Sequence, residues 1–163
     1  MDDLELCSFR DASSAKDVRI FSDENSFGGF STAAMDAVQA VPGELLPGFN
    51  PAPGRLLPYY GRFHGTINID LPPNRPDIQR SGFAAWRTAD PGWTLLGKAV
   101  FNCEAHAFLA LRVRADDSRY FVNLQADTMI TTDLFQHRLF AKTPGEWETI
   151  YVCSIPPPHA CVL

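Results

Sequence analysis

The sequence predicts an all-β domain of short antiparallel strands joined by turns. Thirteen prolines and eleven glycines are scattered through 163 residues without a repeat, which favours many short elements and excludes a collagen-like period. Twelve phenylalanines suit pleated, half-buried surfaces. About eight or nine short apolar or alternating segments stand between turn signals, the pattern of a sandwich or barrel. The length fits one domain, and a chain of this size buries roughly 68–70% of its unfolded surface without a metal or disulfide staple. With 45% hydrophobic and 20% charged residues the composition is globular.

Residues 1–17 mix acids, serines and alanines without a period and read as an N-terminal tail or one short helical turn. Val18 to Phe21 opens the β material, and the domain is expected to run from 18 to 152. Ser22 to Gly29 reads as a polar turn ending in Gly28-Gly29, where positive φ is accessible. Phe30 to Val38 forms a second strand. Pro42 to Tyr60 holds five prolines and three glycines in nineteen residues, an excursion between two strands. Arg62 to Leu71 has the cleanest alternation: Phe63, Gly65, Ile67, Ile69 and Leu71 on one side, His64, Thr66, Asn68 and Asp70 on the other. Ser81 to Arg87 and Leu95 to Phe101 follow, separated by Asp90-Pro91-Gly92. Phe108 to Arg114 and Arg119 to Gln125 read as a hairpin around Ala115 to Ser118, then Leu134 to Lys142 and Trp147 to Val152 complete the strands. Residues 153–163, with Pro156-Pro157-Pro158, form an atypical proline-rich tail.

A net charge of −5 gives no basic footprint for nucleic acid. Eleven arginines against three lysines mildly favour ordered ion pairs or a protein interface, although plain codon or family bias is the simpler cause. Cys7, Cys103, Cys153 and Cys161 show no CxxC spacing and read as free thiols in a reducing compartment, the last two outside any strand. No apolar run reaches the ~18–20 residues that span a bilayer. The acidic Met1-Asp2-Asp3-Leu4-Glu5 is not a presequence, so the residues themselves suggest the cytosol.

No catalytic or cofactor motif stands out. Gly28-Gly29 is too short for a phosphate loop, and His64, His106, His137 and His159 lack metal-ligand spacing; His159-Ala160-Cys161 alone is not a site. There is no GxSxG, and Ser13-Ser14-Ala15-Lys16 matches SxxK by chance. Asp116 and Asp117 read as turn residues, not an acid/base pair. His64 and His137 read as hydrogen-bonded strand residues. Trp86, Trp93, Asn123 and Gln125 are the candidates for a sugar-binding face, although the same residues serve as core and rim. Neither a cofactor nor a metal is expected.

Several segments in order carry a resemblance. Phe21-Ser22-Asp23 with Gly28-Gly29-Phe30-Ser31-Thr32, Arg62-Phe63-His64-Gly65-Thr66-Ile67 and Arg80-Ser81-Gly82-Phe83-Ala84-Ala85 supply the first three. Leu109 to Arg114, continuing through Asp116 to Tyr120-Phe121-Val122-Asn123-Leu124, and Gly145-Glu146-Trp147-Glu148-Thr149-Ile150 supply the rest. Together, across residues 18 to 152, they resemble the complex I intermediate-associated protein family, with the wording closest to fungal members. The resemblance implies a galactose-binding-like jelly-roll β-sandwich, with Asp23, Gly28, Gly29, Ser31, Phe63, Gly65, Gly82 and Trp147 as the motif residues with structural roles. It also implies a non-enzymatic assembly factor for mitochondrial respiratory complex I (NADH:ubiquinone oxidoreductase). Its partners would be assembly intermediates and other assembly factors, with room for peripheral association with the inner membrane.

Three departures from the family pattern are visible. Asp116-Asp117-Ser118-Arg119 replaces a glycine-bearing turn, no presequence is present, and the strands expected after Val152 are missing, so the sandwich is expected to lack its last strands and the chain to be truncated at both ends. The expected partner-binding face comprises Trp86, Arg87, Trp93, Arg112, Arg114, Asn123, Gln125 and Arg138, since arginine and tryptophan are enriched in binding hot spots. A carbohydrate-binding module on the same sandwich, with Trp86 or Trp93 as its stacking platform, is the alternative function. An unproductive gene-model fragment is a third.

Overall fold

The computed structural model describes residues 4–9, 11–41, 58–89, 92–94, 97–98, 101–103, 105–126, 134–153 and 161–162. Strands dominate them: β1 (Val18–Ser22), β2 (Thr32–Gln39), β3 (Tyr59–Thr66), β4 (Ala84–Thr88), β5 (Trp93–Thr94) and β6 (Gly97–Lys98) come first. β7 (Phe108–Val113), β8 (Tyr120–Ala126), β9 (Leu134–Leu139), β10 (Glu148–Cys153) and β11 (Cys161–Val162) follow. Among the described residues the helical elements are a 3-10 turn (Ser14–Asp17) and the five-residue α1 (Asp23–Phe27). Every strand pairing described is antiparallel, so the all-β class holds. The chain divides into two compact units, Cys7–Pro42 with Pro51–Ala89, and Met1–Leu6 and Gly43–Asn50 with Asp90–Leu163.

In the unit containing residues 7–42 and 51–89, β1 pairs with β4 from Val18↔Thr88 to Ser22↔Ala84. β2 pairs with β3 from Thr32↔Thr66 to Gln39↔Tyr59. Between β1 and β2 the expected polar turn is instead one turn of helix, a correction with a local cause. Ser22 sits in extended geometry and its Oγ accepts from the Asn25 amide at 3.3 Å, the action of an N-cap. Gly28 then takes the left-handed conformation at φ 79° and closes the turn, donating to the Glu24 carbonyl at 3.1 Å.

The strand expected over 62–71 is also corrected: it runs from Tyr59 to Thr66 and stops. Beyond Thr66 the backbone turns to side chains for its bonds. The Asn68 amide donates to Ser31 Oγ at 3.0 Å, and the Asp70 amide to Asn68 Oδ1 at 2.7 Å. Asparagine and aspartate offer the chain this local alternative to a ladder. Ile67, Ile69 and Leu71 are left exposed. Ahead of β1, Ser14 is buried, and the Phe9 ring meets Trp86 edge-on at 6.1 Å and 74°. A Cβ added at Gly61 would lie 2.6 Å from that Phe9 ring, so a glycine floor accommodates it. Of the long excursion, 42–57 lies outside the described residues, and its last two positions belong to β3.

In the other unit, β7 pairs with β10 from Phe108↔Cys153 to Val113↔Glu148, and β8 lies between β9 and β11. This overturns the expected hairpin of 108–114 with 119–125. The connection is not a tight two-residue turn: Asp116 Oδ1 accepts from the Ser118 amide at 2.8 Å and from Tyr120 Oη at 2.9 Å, redirecting the chain. Just past β7, the Ala115 carbonyl instead accepts from the Gly145 amide at 2.8 Å, which brings the start of β10 alongside. Alternation along β7 exposes Phe108, Ala110 and Arg112 and turns Leu109, Leu111 and Val113 inward. On β10 the same alternation buries Val152 and exposes Tyr151, while Leu124 is the buried residue of β8. Cys153 closes β10 and Cys161 opens β11, so both lie on strands, contrary to expectation. The missed cue is long-range: β11 pairs Cys161↔Ala126 and Val162↔Gln125 just beyond a proline run. Within the expected strand 95–101, only 97–98 and 101 are described, β6 pairing with β5 as Trp93↔Lys98 and Thr94↔Gly97.

Candidate functional site

Four of the motif residues, Asp23, Gly29, Ser31 and Gly82, converge on one buried carboxylate. Asp23 is the first residue of α1 and has no exposed surface. Its Oδ1 accepts from the Ser31 amide at 2.6 Å; its Oδ2 accepts from Ser31 Oγ at 2.9 Å and from the Gly82 amide at 2.6 Å. The Asp23 backbone donates to the Phe83 carbonyl at 3.3 Å and accepts from the Gly29 amide at 3.0 Å. Ser31 Oγ in turn accepts from the Asn68 amide and lies 3.1 Å from the Asn68 carbonyl.

Each glycine of this junction has a steric or conformational reason. A Cβ at Gly29 would sit 2.6 Å from Asp23 Cγ, inside the space the carboxylate needs. Gly82 holds φ +90° while presenting its N–H to Asp23, a conformation side chains other than glycine resist. Gly65, opposite Ala33 in the β2–β3 ladder, leaves no room for a Cβ against the Thr32 carbonyl. Phe63 is half-buried opposite Met35.

Burial alone pushes the Asp23 carboxyl up, but the donors from Gly82 and Ser31 outweigh it and hold the group below the usual carboxylate range. A buried carboxylate already engaged by three donors is an anchor, poorly disposed to take a proton from a substrate. Asn68 is the junction residue the sequence reading missed. It lay in the polar phase of an apparent strand, and only its contact with Ser31, 37 positions away, distinguishes it.

A second polar cluster lies on β2–β3. Asp36 Oδ2 accepts from Arg62 Nη2 at 3.0 Å and lies 2.8 Å from His64 Nε2, on a solvent-exposed face. The Arg62 hydrogen bond first, then that to His64, holds the Asp36 carboxyl below its ordinary value. His64 is thus a hydrogen-bonded strand residue. In the other unit the Ser118 amide is the main cause of the lowered Asp116 carboxyl, while burial, then the bond to Asp116, raises the Tyr120 phenol. Among the described residues no cluster of three His, Cys, Asp or Glu side chains is placed to hold a metal.

The eight expected partner-binding residues are distributed over both units. Asn123, Gln125 and Arg138 come together on one face of the β8–β9 ladder, because directly opposed antiparallel residues share a side. Phe121 opposes Arg138, Asn123 opposes Gln136 and Gln125 opposes Leu134. Gln136 Nε2 donates to Asn123 Oδ1 at 3.1 Å, and the Arg138 guanidinium lies over the Phe140 ring at 4.8 Å. Arg112 is exposed opposite Thr149 on β7–β10, sharing its side with Phe108 and Ala110. Arg114 lies over the half-buried Trp147 ring at 5.4 Å.

In the unit containing β4, Trp86 packs against Phe9 and Arg87 lies over the Phe21 ring at 5.8 Å. Trp93 begins β5, and its side chain lies outside the described residues. Three of the arginines therefore stack on aromatics, the geometry that planar guanidinium favours and ammonium does not.

Residues 7–154 match the family model described as Complex I intermediate-associated protein 30 (CIA30). Over 157 residues the chain is 39% identical to "Complex I intermediate-associated protein 30, mitochondrial" of Neurospora crassa, a match covering 91% of this chain and 55% of that protein. The chain thus spans about half the length of the curated relative it matches. The span 7–154 contains the whole junction built around Asp23. The chain belongs to the Complex I intermediate-associated protein 30 family.

Proposed function

We propose that this chain acts in the assembly of mitochondrial respiratory complex I, as a non-enzymatic factor that contacts assembly intermediates. The carrying observation is the family match across residues 7–154, supported by a relative whose name places it in mitochondria. The chemistry of the junction agrees with this reading: its one buried carboxylate is committed to holding α1, β2 and the approach to β4 together. No helix among the described residues is long and apolar enough to cross a membrane.

The contact residues we propose are Asn123, Gln125 and Arg138, which share one face of the β8–β9 ladder. Arg112 on β7 with Arg114 just past it, Trp93 at the start of β5, and Trp86 with Arg87 on β4 of the other unit are proposed as separate contact residues. Each arginine near an aromatic is partly preorganised, which lowers the entropy cost of docking.

The test is a two-dimensional native gel of mitochondria from cells expressing the chain with a C-terminal tag. Co-migration with high-mass complex I intermediates is expected. A tagged chain present in the cell but absent from mitochondria would defeat the proposal. Replacing Arg112 and Arg114 together by alanine is expected to weaken that co-migration while leaving the fold intact; unchanged co-migration removes that face. A glycan array separates this function from carbohydrate binding, which predicts saccharide retention that an assembly factor does not.

A further inference from the structure

β9 is an edge strand with a self-complementary sequence. In the order β11-β8-β9 it hydrogen-bonds to β8 on one side, and no strand pairs with its other side among the described residues. Residues 134–138 are all exposed. Natural edges are commonly blunted by proline, lysine, a bulge or a covering segment. The run Leu134-Phe135-Gln136-His137-Arg138-Leu139-Phe140 has no proline, lysine or acid. Leu134, which opens β9, and Phe140, one residue past its end, are 54% and 60% exposed, so apolar surface flanks the edge at both ends.

The pattern is a palindrome in chemical type, centred on His137. If a second copy adds its β9 antiparallel to the first, the two-fold axis stands perpendicular to the sheet. Each residue must then face one from the same side of the strand, so the axis passes through a residue position. With His137 on the axis, Leu134 faces Phe140, Phe135 faces Leu139, and Gln136 faces Arg138. Apolar meets apolar and polar meets polar at every pair. Centring on Gln136 sets Leu134 against Arg138 and Phe135 against His137; centring on Arg138 opposes two guanidinium groups. Only one of these three registers satisfies pattern and charge together, and opposed like charges are costly in a ladder.

We propose that the chain self-associates through β9, two copies forming a continuous antiparallel sheet with His137 on the two-fold axis. The contact is isologous, as closed dimers require. A pairing of the six β9 residues, extended by Phe140, falls short of the ~1,200–2,000 Å² total that stable interfaces bury, so the association is transient and concentration-dependent.

Register-specific crosslinking of the full 163-residue chain tests this. Opposed antiparallel residues have Cα atoms ~4.5–5.5 Å apart, inside the ~4.4–6.8 Å range a disulfide accepts. Under mild oxidation His137→Cys is expected to give a covalent dimer whose linkage maps by mass spectrometry to 137–137. Gln136→Cys, whose sulfurs are offset by two positions, is expected not to. Crosslinking of Gln136→Cys in preference to His137→Cys overturns the register, and equal failure of both overturns the dimer.

Sedimentation of the parent chain from micromolar concentrations upward is expected to show a reversible shift toward dimer. His137→Lys, which opposes two ammonium groups across the axis, is expected to weaken it at least ~10-fold. Phe108→Ser, on β7, is expected to leave it unchanged. A parent that stays monomeric, or a dimer indifferent to His137→Lys, refutes the proposal.

Discussion

Replacing Ser31 by alanine removes one oxygen from the centre of the junction. That oxygen is fully buried, donates to Asp23 Oδ2 at 2.9 Å and accepts from the Asn68 amide at 3.0 Å. The carboxylate keeps its bonds from the Ser31 and Gly82 amides, so it is weakened but not orphaned. The Asn68 amide, by contrast, loses its acceptor. A hydrogen bond from a hydroxyl to a charged acceptor contributes ~1.5–3 kcal/mol, and an unsatisfied buried amide costs ~1–3 kcal/mol. Asn68 is only half-buried, so the lower end applies to it, and the sum is about 2–4 kcal/mol. For a chain of this length that corresponds to a fall in Tm of about 5–15 °C.

Ser13→Ala supplies an internal control. Ser13 Oγ also donates to an aspartate, Asp11 Oδ1, at the shorter distance of 2.6 Å, but in solvent. Its loss is expected to cost less than about 0.5 kcal/mol, because water replaces the bond. Differential scanning calorimetry on both variants decides the matter. Equal shifts, or a Ser31→Ala shift below about 1 °C, would refute the claim that burial makes this hydroxyl matter.

Four further outcomes follow from the same geometry. Gly29→Ala is expected to lower Tm at least as far as Ser31→Ala, because its methyl meets Asp23 Cγ at 2.6 Å; amide exchange at Ser31 should accelerate with it. Gly65→Ala is expected to break the β2–β3 register, since the obstacle is the Thr32 carbonyl, and circular dichroism should report lost sheet. The lowered Asp23 carboxyl contributes stability that is present above its unfolded value of about 3.9 and lost as pH falls through the folded value. Asp23→Asn should therefore be less stable at neutral pH, with a stability curve flatter than the parent's below about pH 4 in urea titrations. Phe9→Ala, which strips the edge contact from Trp86, is expected to cost at least about 1 kcal/mol and shift tryptophan emission to the red.

Strand existence was legible wherever alternation and turn residues agreed, as at β7, whose exposed and inward residues follow the sequence phase. Strand partners were not. Phe108 to Gln125 looked like a hairpin because neighbours in sequence usually pair, yet the Ala115 carbonyl reaches to Gly145 and β7 takes β10. The end of β3 was hidden for a related reason: Ile67, Ile69 and Leu71 continue the alternation perfectly, but Asn68 and Asp70 exchange ladder bonds for side-chain bonds. The five-residue α1 is too short to show a helical period and betrays itself only through Ser22 and Gly28 at its ends.

The motif residues announced themselves by resemblance, but their common purpose did not. Nothing in the spacing of Asp23, Ser31, Asn68 and Gly82 says that one carboxylate gathers them. The exposed candidates were still harder to read. Asn123, Gln125 and Arg138 share a face only because β8 and β9 pair in one particular register.

The junction also sets an order of events during synthesis. Asp23 emerges early, yet the Gly82 amide that satisfies it lies 59 positions downstream, and β1 must wait for β4 to receive its ladder. Until Thr88 has left the ribosome, this stretch cannot close, and its carboxylate remains hydrated. Long-range pairings of this kind are slow to form because the loop must close before any contact rewards it. Translation speed from residue 31 until Thr88 clears the exit tunnel should therefore govern how long β1 and β2 are exposed to chaperones.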